Sequence, residues 1–190
     1  LKAEFIYDSR ILISENKYLK DASLFKILSG DFTSQHIKKG MYRPITMFSF
    51  YLNYLINDLD PAGYRIFNLF LHALVGGTLF LITSFLFKDP DLGFRLILSF
   101  FYILMPFNSQ ALLYISSRFT LLCALFCLLS FYYYLKGRIG TGLLFFSLAL
   151  FSKEEALILP LILLLFETSR GKWRSYLRWV LYSILPILVY

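Results

Sequence analysis

Four groups of ionisable side chains lie beside apolar runs in this chain. They are Asp8 with Arg10, Tyr42 with Arg43, Arg118, and the tetrad Ser152-Lys153-Glu154-Glu155. A charge held at membrane depth must be compensated by a partner or by a ligand. From the residue types alone two readings are open. Either cations and carboxylates together make a site for a charged ligand, or they form salt bridges that tie a loop to helices. Arginine would offer a ligand a planar two-donor fork, and lysine a mobile point charge.

The elements that must position these groups are mostly apolar. Ile66–Phe87 carries no formal charge, and at about 1.5 Å per residue it is long enough for a hydrocarbon core of roughly 30 Å. Similar runs follow: Phe94–Phe107 broken at Pro106, Phe119–Leu135, Ile139–Phe151, Ala156–Phe166 and Trp179–Tyr190. Backbone in lipid must satisfy its own hydrogen bonds, so these runs predict helices. Apolar residues make up 58% of the chain and charged ones 16%, well below the roughly 25% charged in soluble proteins. Mean hydropathy is +0.63. The net charge of +7 sits in short loops, which fits topology signals and lipid headgroups and argues against a nucleic-acid partner. The chain opens on Leu1 and stops within an apolar run, so both ends read as cut from a longer polytopic protein. Cys123 and Cys127, one helical turn apart and without further ligands nearby, read as packing residues and not as a metal site. His72, in an uncharged helix, likewise reads as a packing residue.

The tetrad decides the topology. One helix from Ile139 to Phe166 would be about 42 Å long with three charges at its middle. A hairpin would have short arms and a tip below the membrane surface. The hairpin also places Lys88, Arg95, Lys136, Arg138, Arg170, Lys172, Arg174 and Arg178 on one face, with Arg118 and Lys153 on the other. Positive-inside bias favours the hairpin and puts the N-terminal region outside the cytoplasm. That region has two short helices of its own. Asp21 caps one through Leu24, Phe25, Ile27 and Leu28, and Pro44 opens a second through Leu55 that is too short to span and suits the interface. The predicted fold is therefore all-α, a polytopic transmembrane bundle. Residues 1–62 form an extracytoplasmic loop with interfacial helices, and residues 63–190 form a bundle of about six spans.

Four blocks carry a resemblance. YDSRILISEN (Tyr7 to Asn16) resembles the WDDxxYxxxN opening loop of GT-C glycosyltransferases, and Met41 to Leu74 resembles their YRP-T…LNY…L-PAG-H…N-LLH block. Met105 to Leu122 is similar to HP-H-E-V-I-GR-LL, and Leu148 to Glu167 to LAL-SKE-A-LP. The relatives in view are the transmembrane-and-tetratricopeptide O-mannosyltransferases and their bacterial counterparts. The resemblance implies a GT-C-like bundle in the bacterial inner membrane or endoplasmic reticulum. Its activity would be transfer of a sugar, mannose among the candidates, from a polyprenyl-phosphate carrier to an extracytoplasmic hydroxyl, with inversion. The acceptor class, protein, lipid or glycan, stays open. The position matching the family's reactive acid is Asp8, a candidate base for the acceptor hydroxyl. Arg43, Arg118 and Lys153 are the candidate cations for the carrier phosphate, with Tyr42 and Glu154 in support.

The departures matter as much. Ser9 replaces the second acid of the opening pair, leaving a single carboxylate, which disfavours a divalent metal; no other cofactor is implied. Met105 and Asn108 replace the two histidines of the third block, Ser117 the glycine before Arg118, and Tyr64-Arg65 stands where Phe/His is common. Two other classes remain open. A lipid-linked glycan transporter or flippase would show internal repeats, and none is found. A degenerate membrane scaffold would need no carboxylate near the phosphate cations.

Overall fold

A computed structural model describes residues 5, 8–16, 19, 25, 42–87, 90–108, 114–170 and 173–189. All regular structure among them is helical. After a π-helical turn at Arg10–Ser14, the helices are α1 (Pro44–Asn57), α2 (Pro61–Leu86), α3 (Leu92–Leu104), α4 (Arg118–Leu135), α5 (Ile139–Leu150), α6 (Leu159–Arg170) and α7 (Trp173–Val189). Short 3₁₀ turns lie at Pro106–Asn108, Ile115–Ser117 and Glu154–Ile158.

Local chemistry explains the boundaries. Pro44 and Pro61 occupy the first turns of α1 and α2, where a missing N–H costs nothing. Asp60 accepts from the Ala62 N–H at 3.0 Å and Asp91 from the Gly93 N–H at 3.1 Å, so α2 and α3 are both capped. Between α1 and α2 the chain reverses so tightly that a Cβ on Gly63 would lie 2.4 Å from Asn57 Cγ. Gly137, with φ of +72°, makes the corresponding reversal between α4 and α5.

Side-chain contacts fix the directions. Arg95 of α3 donates to the Phe80 carbonyl, and His72 of α2 meets the Ile103 carbonyl at 3.2 Å, so α2 and α3 are antiparallel. Arg118 reaches Asn68 at one end of α4 and Tyr132 meets Phe85 at the other, so α2 and α4 run parallel. Ser130 donates to the Gly142 carbonyl at 2.7 Å, where a Cβ on Gly142 would lie 3.2 Å from the Ser130 carbonyl. This close approach joins α4 to an antiparallel α5. The Arg118 end holds α1 and the 151–158 turn; the opposite end holds Gly137, Arg95, Lys136 and Arg138.

The hairpin expected around the tetrad is present. Cys123, near the start of α4, lies 3.8 Å from the Lys153 carbonyl, while Phe166 of α6 meets Phe131, two turns further along α4, at 5.2 Å. Helix α6 therefore returns toward the Gly137 end. Trp179 of α7, packed on Phe146 and Tyr134, closes this part of the core. A second cluster joins Leu71, Val75, Leu121, Leu122 and Leu125 of α2 and α4. A third, at the Arg118 end, joins Leu12, Ile13, Met47, Phe50, Tyr64 and Ile115, and so ties the segment after Asp8 to α1, α2 and the approach to α4.

Outward faces are apolar: Ile97, Phe101 and Leu104 on α3, Leu165 on α6, and Leu181 and Leu188 on α7 are all well exposed. In water this would be an adhesive surface; against lipid it is an ordinary one. Pro61–Leu86 and Ile115–Leu135 are long and apolar enough to cross a membrane, and Leu92–Leu104, Ile139–Leu150 and Tyr176–Leu188 are apolar but shorter. Among the described residues two helices of full span length stand where about six spans were expected. The helix expected from Pro44 is α1, which turns Leu52, Leu55 and Ile56 outward. The one expected over Leu24 to Leu28 lies, apart from Phe25, outside the described residues.

Cysteines replacing Phe131 and Phe166 should cross-link within one chain on mild oxidation, read as a mobility shift reversed by reductant. A continuous helix from Ile139 to Phe166 would separate them, and no cross-link would form.

Candidate functional site

Arg118 opens α4 with a side chain 0% exposed. Its Nε donates to Asn68 Oδ1 at 2.9 Å and Nη1 to the Ser49 carbonyl at 3.2 Å. Nη2 donates to Asn53 Oδ1 at 2.8 Å and to the Tyr64 carbonyl at 2.9 Å. The guanidinium lies over the Phe50 and Phe67 rings, 4.5 and 4.6 Å from their centroids, near enough for cation–π attraction. The two amides are themselves held. Asn53 donates to Asn57 Oδ1, and Asn68 to the Tyr114 and Ile115 carbonyls. A single buried fork thus joins α1, α2 and α4 through neutral oxygens.

The next two residues each hold a cation. Arg43 lies 4.8 Å over the Phe119 ring, and Lys153 Nζ donates to Thr120 Oγ1 at 3.1 Å. The start of α1 is stitched to the turn after α5: the Ile45 N–H reaches the Phe151 carbonyl at 3.2 Å and Thr46 Oγ1 the Ser152 carbonyl at 3.2 Å. Tyr42 meets Phe151 edge to face. Arg43, Tyr42 and Lys153 are therefore neighbours around one turn, although more than a hundred residues separate them in sequence.

Both cations carry carboxylates. Arg43 grips Glu154 with a two-pronged fork, Nη2 to Oε1 at 2.6 Å and Nε to Oε2 at 3.1 Å. Lys153 pairs with Glu155. The fork from Arg43 holds the Glu154 carboxyl below its ordinary value of 4.5. The sequence placed Glu154 in support of the cations; the 3₁₀ turn sends it to Arg43 and leaves Glu155 for the lysine.

Asp8 stands exposed one residue before the buried Ser9, on a segment that packs through Leu12 and Ile13 into the cluster beneath Arg118. Arg10, the nearest cation in sequence, is paired with Glu15 at 2.7 Å. Asp8 shares this end of the molecule with Arg43 and Lys153.

Arg118, expected to face the phosphate alongside Arg43 and Lys153, donates instead to four protein oxygens, and its side chain is closed off from the surface. The arginine orders the frame that carries the other two. The residues missed were Asn53, Asn68 and Thr120; Glu155 was named with the tetrad but given no role of its own. Asn53 and Asn68 had a signal, since an amide in an apolar helix needs a partner; Thr120 had none. His72 packs against Tyr102 with Nε2 on the Ile103 carbonyl, as read. Cys123 and Cys127 are both free thiols, and Cys123 packs in the α4–α5 core. Among the described residues no three His, Cys, Asp or Glu stand together as metal ligands.

Comparison with known proteins gives related sequences. Over 139 residues the chain is 31% identical to protein O-mannosyl-transferase TMTC3 of Homo sapiens, covering 70% of this chain and 15% of that one. It is 31% identical over 141 residues to protein O-mannosyl-transferase TMTC2 of Homo sapiens, covering 72% and 17%. It is 28% identical over 156 residues to protein O-mannosyl-transferase TMTC4 of Mus musculus, covering 73% and 21%. The chain thus spans about a fifth or less of the length of these relatives. No protein-family profile matches it, and no solved structure does.

Two outcomes follow from this geometry. Arg118→Gln should destabilise the fold, at roughly 1–3 kcal/mol for each buried acceptor left unpaired, with Arg118→Lys recovering only part; thermal unfolding in detergent reads this. The Arg43–Glu154 link should be intact above the ordinary glutamate value of 4.5 and be lost as pH falls through the lowered folded value. Acidification should therefore increase proteolysis near Arg43 in the parent, while Glu154→Gln removes that dependence.

Proposed function

We propose that this chain, a relative of the protein O-mannosyl-transferases, is part of a membrane glycosyltransferase of the GT-C kind that moves mannose from a polyprenyl-phosphate carrier to a hydroxyl. The names of the relatives favour a protein acceptor. The observation that carries the reading is the meeting of Arg43 and Lys153 on one turn at the start of α4, at the same end as the segment that bears Asp8.

In this reading residues 1–62 lie outside the cytoplasm, and residues 63–190 belong to the membrane bundle. The carrier's tail stays in lipid while its phosphate meets Arg43 and Lys153, with Tyr42 at the margin. Glu154 and Glu155 hold those cations when no phosphate is there. Asp8 takes the proton of the acceptor hydroxyl as its oxygen bonds to the anomeric carbon. The bond from that carbon to the phosphate oxygen breaks, and the carrier phosphate leaves with the electron pair. A cation beside the leaving oxygen stabilises charge that grows only during transfer, which is where such help accelerates a reaction. A displacement of this kind inverts the sugar. Arg118 serves by fixing Phe119 and Thr120, and needs no contact with the donor.

Asp8→Asn should lower sugar transfer by about 10²–10⁴ while carrier binding persists, and Asp8→Glu should fall between. The assay is transfer from a labelled polyprenyl-phosphate donor by the intact protein in membranes; parental rates from Asp8→Asn would exclude Asp8 as the base. For orientation, Arg10→Cys should react with an impermeant thiol reagent added to intact cells or sealed lumen-out vesicles, and Ser169→Cys should not. The reverse pattern would put the site on the wrong side of the membrane.

A further inference from the structure

Within the two ion pairs of the site, cation and anion are not equally free. The Arg43 side chain is 11% exposed and lies over Phe119, whereas its partner Glu154 is 49% exposed. The Lys153 side chain is 19% exposed and tied to Thr120, whereas Glu155 is 61% exposed. In each pair the cation is fixed by the fold and the carboxylate reaches in from solvent. Glu154 also occupies the Nε–Nη2 edge of Arg43, the two-donor edge that a phosphate would take. An incoming oxyanion and Glu154 cannot both hold it.

We infer that Glu154 and Glu155 are exchangeable counter-anions that set which phosphate esters this site holds, a proposal that rests on reading Arg43 and Lys153 as the phosphate-binding cations. Two cations and two carboxylates leave the resting cluster neutral. A carrier phosphodiester brings one negative charge and balances the displacement of one glutamate. A phosphomonoester brings about 1.5 to 2 charges near neutral pH and balances the displacement of both. As the sugar leaves, the phosphate gains charge, and the second cation becomes available to it in the same step. The glutamates thus favour the departing phosphate over the arriving ester without direct contact with the sugar. They also limit that preference: each must return to its cation for the product to be released, which prevents the spent carrier from being trapped. Each carboxylate stands in solvent, so water can take it up when it leaves its cation.

The experiment measures binding of farnesyl phosphate and of its methyl ester to the intact protein in phospholipid nanodiscs. The parent should favour farnesyl phosphate. Glu154→Gln and Glu155→Gln should each tighten farnesyl phosphate by about two- to fivefold, the range expected for removing one exposed competing charge. In sugar transfer both variants should lower KM and kcat together, because the product then leaves slowly. A purely structural role for the glutamates would instead weaken binding and raise KM. Glu155 is exposed enough for its variant to fold even where Glu154→Gln does not. Equal parental affinity for the two esters, or Gln variants that bind farnesyl phosphate no tighter than the parent, overturns the exchange while leaving the phosphate site standing. Failure of the parent to bind either ester removes the phosphate site itself, and the exchange with it.

Discussion

The arrangement around the site depends on one cation that is fully enclosed by protein. Arg118 has no carboxylate partner among the described residues; its charge is met by two side-chain amides, two backbone carbonyls and three aromatic faces. Dipoles can solvate a buried cation when they are many and well aimed, and a guanidinium, being weakly hydrated and planar, is the cation best suited to such treatment. The same requirement fixes the fold. To supply those oxygens, α1 must lie across the starts of α2 and α4, Gly63 must let the chain reverse beside Asn57, and Asn68 must face α4 within an otherwise apolar helix.

Two kinds of charge compensation therefore sit within a few residues. Arg118 is neutralised permanently, by groups that cannot leave. Arg43 and Lys153, partly reached by solvent, are neutralised by carboxylates that can. The difference follows from depth. Screening by water keeps the outer pairs weak, while in the interior each lost hydrogen bond costs its full desolvation. Consecutive residues of α4 link the two regimes: Arg118 is anchored inside, and Phe119 and Thr120 present its position to the outer cations. Fixed placement of the cations thus derives from a residue that does not reach the surface.

Much of this was legible in the chain. Apolar runs gave the helices of the bundle, Pro44 gave the start of α1, and the distribution of lysine and arginine gave the hairpin that brings Phe166 back to Phe131. The motif blocks singled out Arg43, Arg118 and Lys153. Their pairing was not legible. Whether Lys153 meets Glu154 or Glu155 turns on the pitch of a five-residue 3₁₀ segment, and adjacent glutamates look equivalent in sequence. Nor does an arginine at the head of an apolar run disclose which way it points. The amides of Asn53 and Asn68 would have shown it, had their own need for partners been followed inward.

The stitches between Ile45 or Thr46 and the Phe151-Ser152 turn join segments 106 residues apart, and Arg43 and Glu154 are separated by 111. Loop closure over such a span is entropically late, and local helices form long before it. In a chain that is synthesised from its N-terminus, α1 waits with an unfilled partner surface while α2 to α5 form. The cations come together only once the turn after α5 has returned to the starting side. Assembly of the cluster thereby reports that α1 to α5 have packed in the right sense: a chain in which one of them is reversed has every local element and no cluster.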